Sequence, residues 1–165
     1  MIDIREVGNK LKLMNELGEI ADFVINFLSD HLASDHCVMI LWDSKEDRAV
    51  FARWKGFLKF PSFLFERGTG KVGAVVAAID CGCLVMDDYS DSPIKLPGEE
   101  FENIGPVVAY SLSLIGGLYL SISCGRSKGE KSYDLADVND LMVFANIVAN
   151  KINNIIYQEL SLIHI

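Results

Sequence analysis

The sequence predicts an α+β fold, a central antiparallel sheet of about six strands with long helices at both ends of the chain. Three observations carry that expectation. Both ends show helical periodicity, and the middle does not. The middle holds apolar, β-rich runs in pairs, 37–42 with 49–54 and 107–114 with 118–123. The first pair is joined by Asp43-Ser-Lys-Glu-Asp-Arg48 and the second at Gly116-Gly117, and both links are hairpin signals. Parallel strands need a crossover of about a dozen residues or more, and these links are too short for one.

The elements follow in order. From 7 to 32 one helix is expected, because Leu13, Leu17, Ile20, Val24 and Phe27 recur at alternating spacings of four and three. Strands are expected over 37–42, 49–54, 63–66, 84–87, 107–114 and 118–123, with a short helix over 69–79. The stretch 90–106 carries Pro93, Pro97, Gly98 and Pro106 and reads as loop, with a helical turn near 99–103. In the last segment Asp134 suits an N-cap, and Asp137 places negative charge in the first turn. From there Leu135, Val138, Met142, Ala145, Ala149, Ile152 and Ile156 repeat as a heptad, widened by Leu141, Phe144, Val148 and Ile155. A stripe that wide suits a helix that packs on a sheet and also meets another helix. A homodimer through the first and last helices is therefore expected.

At 165 residues, half of them apolar, the chain has material for a single core, and one domain is expected over 1–165 with its core at about 7–158. The net charge of −8 disfavours nucleic acid and anionic membrane surfaces as partners. No apolar run approaches the roughly 18–20 residues that span a bilayer, and the first residues lack the pattern of a signal peptide, so a cytoplasmic location is expected. Arg53, Lys55, Lys59, Arg67 and Lys71 cluster among Phe51, Trp54, Phe57, Phe60, Phe63 and Phe65. That cluster reads either as a strand with one solvated face or as the edge of a pocket for a ligand with an anionic group and a flat apolar part.

Gly68-Thr-Gly-Lys-Val-Gly73 is a literal G-x-G-x-x-G, with Asp87 and Asp88 near the distance of a ribose-binding acid. The fingerprint has meaning only at the first turn of a parallel βαβ unit, and the flanking hairpins argue against one. The alternative is a sharp turn from strand into a short helix packed on an antiparallel sheet. Cys37 and Cys124 sit in apolar strand runs and read as small core residues. Cys81-Gly82-Cys83 is a loop C-x-C without a second pair, and His31, His36 and His164 show no matching spacing, so no metal site is expected. Two loop thiols remain candidates for redox chemistry.

Arg67-Gly-Thr-Gly-Lys-Val-Gly-Ala-Val-Val-Ala77, Leu84-Val-Met-Asp-Asp-Tyr89 and Tyr133-Asp-Leu-Ala-Asp137, in this order around the two hairpins, resemble the GAF domain. The resemblance covers about 7–158 and implies terminal helices on one sheet face, with a short helix and loops enclosing a small-molecule pocket on the other. It implies a non-catalytic sensory or regulatory module in signal transduction, of bacterial type. Specialised branches fit less well. The Asn-Lys pair of cyclic-nucleotide-binding members is absent, and Val138 stands where their Glu falls. No Cys-His pair follows Asp88, as covalent bilin attachment requires. The GAF-like free-methionine sulfoxide reductase places a cysteine where this chain has Val72, which leaves a thiol reductase or redox sensor using Cys81 and Cys83 as the alternative. In the pocket the resemblance implies, Trp54, Phe65 and Tyr110 are the expected apolar walls and Arg53 or Lys71 the partner of an anionic group. The backbone N–H groups of Gly70 and Lys71 would open a helix toward an anion, and Asp87 and Tyr89 would orient the ligand by hydrogen bonds. The alternative is that Trp54, Phe65 and Tyr110 simply fill the core. The identity of the ligand is left open.

Overall fold

The computed structural model describes residues 1–58 and 73–163, with side chains through 159. The elements are α1 (Ile4–Lys12), α2 (Leu17–His31), β1 (His36–Asp43), β2 (Arg48–Lys55), α3 (Gly73–Cys81), β3 (Cys83–Met86), α4 (Glu99–Glu102), β4 (Ile104–Ser113), β5 (Leu118–Ser127) and α5 (Leu135–Ile163). The strands form one antiparallel sheet in the order β2-β1-β5-β4-β3. Among the described residues the sheet has five strands where about six were expected, and the expected strand at 63–66 lies outside them. An all-antiparallel sheet removes the dinucleotide reading of the glycine motif, which needs parallel strands.

Each strand's apolar pattern reports how many of its faces are covered. In β1 every residue from Cys37 to Trp42 is buried, as expected of a strand covered on both faces. Its odd positions, Cys37, Met39 and Leu41, enter one core with Ile20, Val24 and Leu28 of α2 and with Leu141, Phe144 and Val148 of α5. Its even positions, Val38, Ile40 and Trp42, enter a second core with Ala74, Val75 and Ala78 of α3. β5 does the same with Leu120 and Ile122 on the α2/α5 side, while Ser121 turns to the other side and donates to the Val75 carbonyl. Pro106 sits within β4 where the ladder to β5 shifts register between Ile104 and Val107, a position that does not require its missing N–H.

The expected single N-terminal helix is two helices. Leu13, which the periodicity placed on the buried stripe, is 83% exposed, and the chain breaks between α1 and α2. The Asp3 carboxylate caps α1 by accepting from Arg5 N at 3.0 Å and Glu6 N at 3.1 Å. α1 then lies along α5 with Val7 and Leu11 buried. The Met1 amino group stands 3.7 Å from Asp140 near the start of α5, and Lys12 lines a groove with Lys151 and Asn154 further along it. The two helices therefore run in the same direction, and α1 covers part of the wide α5 stripe within one chain.

At the start of α5 the expected cap is present and reciprocal. Asp137 N donates to Asp134 Oδ1 at 2.8 Å, and Asp134 N donates to Asp137 Oδ2 at 2.9 Å. The bond from the Asp137 backbone leads the contributions that hold the Asp134 carboxyl below its usual range. Beside this cap lies the buried guanidinium of Arg126, at the end of β5. It donates to the Leu32 carbonyl at 2.7 Å and to the Lys131 carbonyl at 2.8 Å, lies 3.7 Å from Asp137, and stacks 4.0 Å from the Tyr133 ring. Tyr133 in turn shares a 2.6 Å hydrogen bond with Ser34. One side chain thus fastens the end of α2 to the run into α5.

Candidate functional site

The sheet, α3 and the stretch from Tyr89 to Phe101 border a cavity on the α3 side of the sheet. Val38 and Val107 form its floor, Ala74 and Val75 of α3 one wall, and Leu96 and Phe101 another. The room inside for water-sized spheres is about 40 Å³, enough for roughly three waters at 10–15 Å³ each and short of the roughly 300 Å³ of a metabolite site.

The walls are held by specific bonds. Asp88 accepts from both the backbone and the hydroxyl of Ser90, which sets the turn Tyr89–Asp91 and lowers the Asp88 carboxyl, the Ser90 hydroxyl being the largest cause. That turn directs Tyr89 inward, where it is 3% exposed. Its hydroxyl oxygen accepts from Leu96 N at 3.0 Å, and Gly73 N donates to the Ile94 carbonyl at 3.1 Å. The first bond closes the 88–96 loop on itself, and the second ties it to the start of α3. Burial pushes the Tyr89 phenol up to about 12, so it remains protonated at neutral pH. Gly73 has φ +72°, and a Cβ there would meet Leu96 Cδ1 at 3.0 Å and Tyr89 Oη at 3.5 Å, so only glycine leaves this corner open.

Two further polar groups border the space. Ser123 lies on the floor, half-buried. His36 hydrogen-bonds the Gly56 carbonyl at 3.1 Å, and because a carbonyl only accepts, its Nδ1 carries the proton. The His36 ring stacks on Phe57 at 4.7 Å, and Phe57 contacts Phe101 at 5.3 Å, which continues the aromatic wall.

The expected site residues separate by face. Tyr89 lines the cavity. Trp54 lies opposite Val38 and so on the cavity side, but β2 is terminal among the described strands and Trp54 is 38% exposed. Arg53 lies opposite Met39, on the helix side, 3.7 Å from Asp22 of α2. Tyr110 packs on the α2/α5 core and accepts from Asn146 at 3.5 Å, so it too is on the far side of the sheet. Asp87 is exposed just beyond β3. Phe65, Gly70 and Lys71 lie outside the described residues. Ser123, His36, Leu96 and Phe101 were not expected at the cavity. Ser123 carried a readable signal, because Ser121 and Ser123 place two polar side chains on one face of an otherwise apolar strand.

The thiols divide as their sequence settings imply. Cys37 and Cys124 are buried and oppose each other across β1 and β5 with sulfurs 3.7 Å apart. The Cys124 contact, followed by burial, pushes Cys37 well above its usual range. Cys81 is exposed as the last residue of α3, and Cys83 is half-buried at the start of β3, its thiol raised by burial and then by Cys81.

An antiparallel sheet with paired terminal helices on one face and a roofed cavity on the other is the architecture of a GAF-like domain, and that is the fold of this chain. It is similar over 94% of its length to 94% of the GAF domain from a phosphoenolpyruvate-protein phosphotransferase of Coxiella burnetii, at TM-score 0.75 and 13% identity. It is also similar, over 94% of this chain and 89% of the other, to the free methionine-R-sulfoxide reductase of Neisseria meningitidis in complex with its substrate, at TM-score 0.73 and 15% identity. A far-red absorbing dark state with bound biliverdin matches over 92% of this chain and 98% of the other, at TM-score 0.65 and 11% identity. No protein-family model and no curated protein matches the sequence. Among the described residues no helix is long and apolar enough to cross a membrane.

Proposed function

We propose that this chain is a non-catalytic sensory or regulatory module that takes a small molecule between the sheet and α3. The observation that carries this reading is the apolar cavity with Tyr89 buried at its wall, on the face opposite the paired terminal helices. At about 40 Å³ the cavity is small and partly open, so a ligand larger than a few waters would need its apolar walls to move slightly apart. Structural neighbours that hold a methionine-sulfoxide substrate or biliverdin support a small-molecule role for the fold. Native mass spectrometry of freshly purified protein is the test, repeated on Ala74→Leu, which fills the cavity from α3. The expected outcome is a bound mass in the wild type, a melting temperature that rises with added ligand, and loss of both in Ala74→Leu with an unchanged circular dichroism spectrum. A mass retained by Ala74→Leu would place the ligand elsewhere.

The second part of the proposal is a homodimer through α1 and α5, which still expose Ile4, Leu13, Leu135 and Tyr157 on or beside those helices. The thiol-reductase reading is less well supported. Neither Cys81 nor Cys83 is among the described residues lining the cavity, and Cys81 closes α3 at its negative dipole end, which disfavours a thiolate. Assay of methionine sulfoxide reduction in the wild type and in the double variant Cys81→Ser, Cys83→Ser separates the two readings. The module reading expects no turnover in either protein.

A further inference from the structure

Building on the small-molecule reading, we propose that the cavity is selective for a compact, uncharged carbonyl compound whose oxygen accepts the hydroxyl proton of Tyr89. The Tyr89 oxygen already accepts from Leu96 N at 3.0 Å, so the hydroxyl's remaining capacity is as a donor. Among the described residues nothing accepts that proton, although the side chain is 3% exposed. A buried donor without an acceptor is costly, and a water or a ligand oxygen relieves it. The space in front of the hydroxyl is kept open by Gly73, since a Cβ at that position would stand 3.5 Å from the oxygen. Ser123, on the floor of the same cavity, is a second hydroxyl with no side-chain partner among the described residues.

The remaining walls define the body of the ligand. Val38, Val75, Leu96, Phe101 and Val107 are apolar and offer contact area without charge. No Lys, Arg, Asp or Glu is among the described lining residues; of the two cations expected to meet an anionic group, Arg53 belongs to the other face of the sheet and Lys71 lies outside the described residues. A carboxylate entering this cavity would lose its hydration with only the His36 imidazole, already bonded to the Gly56 carbonyl, as a group able to carry positive charge among the described walls, whereas a ketone or amide oxygen needs only the donors present. Burial keeps the phenol protonated, up to about 12, so the donor persists across the physiological range.

Cyclopentanone, cyclopentane and cyclopentanecarboxylate serve as probes, followed by amide and methyl chemical shifts of Gly73, Ala74, Val75 and Ser123. The expected result is that cyclopentanone binds about three- to tenfold more tightly than cyclopentane, the difference one net hydrogen bond makes. Tyr89→Phe should erase that preference and keep hydrocarbon binding. Because Tyr89→Phe also removes the acceptor for Leu96 N and is at risk of misfolding, a second readout uses the wild type alone. The infrared stretch of the bound carbonyl, isotope-labelled, should shift to the lower frequency of a hydrogen-bonded carbonyl. Equal binding of ketone and hydrocarbon, or an unshifted stretch, would overturn the carbonyl subsite while leaving the cavity a ligand site. Tighter binding of the carboxylate would overturn the uncharged specificity. If no probe moves a cavity resonance, the subsite and the small-molecule reading fail together.

Discussion

Single residues set opposite demands on the same amino acid. Gly8 sits inside α1 without a positive φ, and a Cβ there would meet nothing within 4 Å. Gly8→Ala should therefore stabilise the domain by about 0.5–1 kcal/mol, read from the urea midpoint. Gly56 has φ +91°, and a Cβ there would overlap the Asp35 carbonyl. Gly56→Ala should cost at least about 1–2 kcal/mol from the left-handed conformation alone, with the steric clash in addition. Equal effects of the two substitutions would mean that the β2 exit is misplaced. Tyr89 gives a pH signature. Its folded value of about 12 lies above the ordinary 10, so its contribution is intact below pH 10 and is lost as pH rises through 12. The difference corresponds to roughly 2–3 kcal/mol. Alkaline unfolding followed by tyrosinate absorbance should show it, and Tyr89→Phe should remove that part of the pH dependence. Tyr133 is raised further, chiefly by burial, and will add to the same alkaline limb.

Between elements the energetics concentrate at Arg126. Its bonds to the Leu32 carbonyl and to the adjacent Lys131 and Ser132 carbonyls join the end of β5 to the end of α2 and to the run into α5. Arg126→Gln leaves carbonyls and the Asp137 carboxylate without their partner, and a cost of about 3 kcal/mol is expected. Arg126→Lys keeps the charge but not the fork, so its loss should fall between the two, read from denaturant midpoints. A Gln variant as stable as the wild type would show that the joint is ornamental. Sequence reasoning reached the elements more surely than their faces. The five described strands were legible because their apolar runs stand between turn signals, and the α5 cap because Asp134 and Asp137 stand at capping spacing. The face of β2 was not legible, since Phe51 and Trp54 are aromatics of opposite parity, and only pairing with Leu41 and Val38 assigns their sides. Arg53 and Tyr110 were therefore expected at a cavity that lies across the sheet from them. The break before α2 was hidden because Leu13 continued the helical repeat without being buried. The cavity itself is built by residues distant in the chain, such as Tyr89 and Ser123, whose meeting depends on topology rather than local pattern.

For the whole molecule, the acidic chain presents its two terminal helices together on one face, and α1 already shields part of α5. A homodimer across that face should appear as a doubled mass in light scattering, and Leu13→Asp combined with Tyr157→Asp should return a monomer with unchanged circular dichroism. A monodisperse wild-type monomer at high micromolar concentration would remove the dimer. The ladder order has a separate consequence during synthesis. β1 forms its first hairpin with β2 at once, yet its other edge waits for β5, because Cys37 pairs with Cys124, 87 residues later. A ribosome adding about 5–20 residues each second needs roughly 4–17 s to deliver that partner. Through that interval one edge of an apolar strand lacks its partner, while α2, which packs on its face, is already made. Slow translation between β2 and β5 should thus lower the soluble yield of this domain more than the same delay placed after β5.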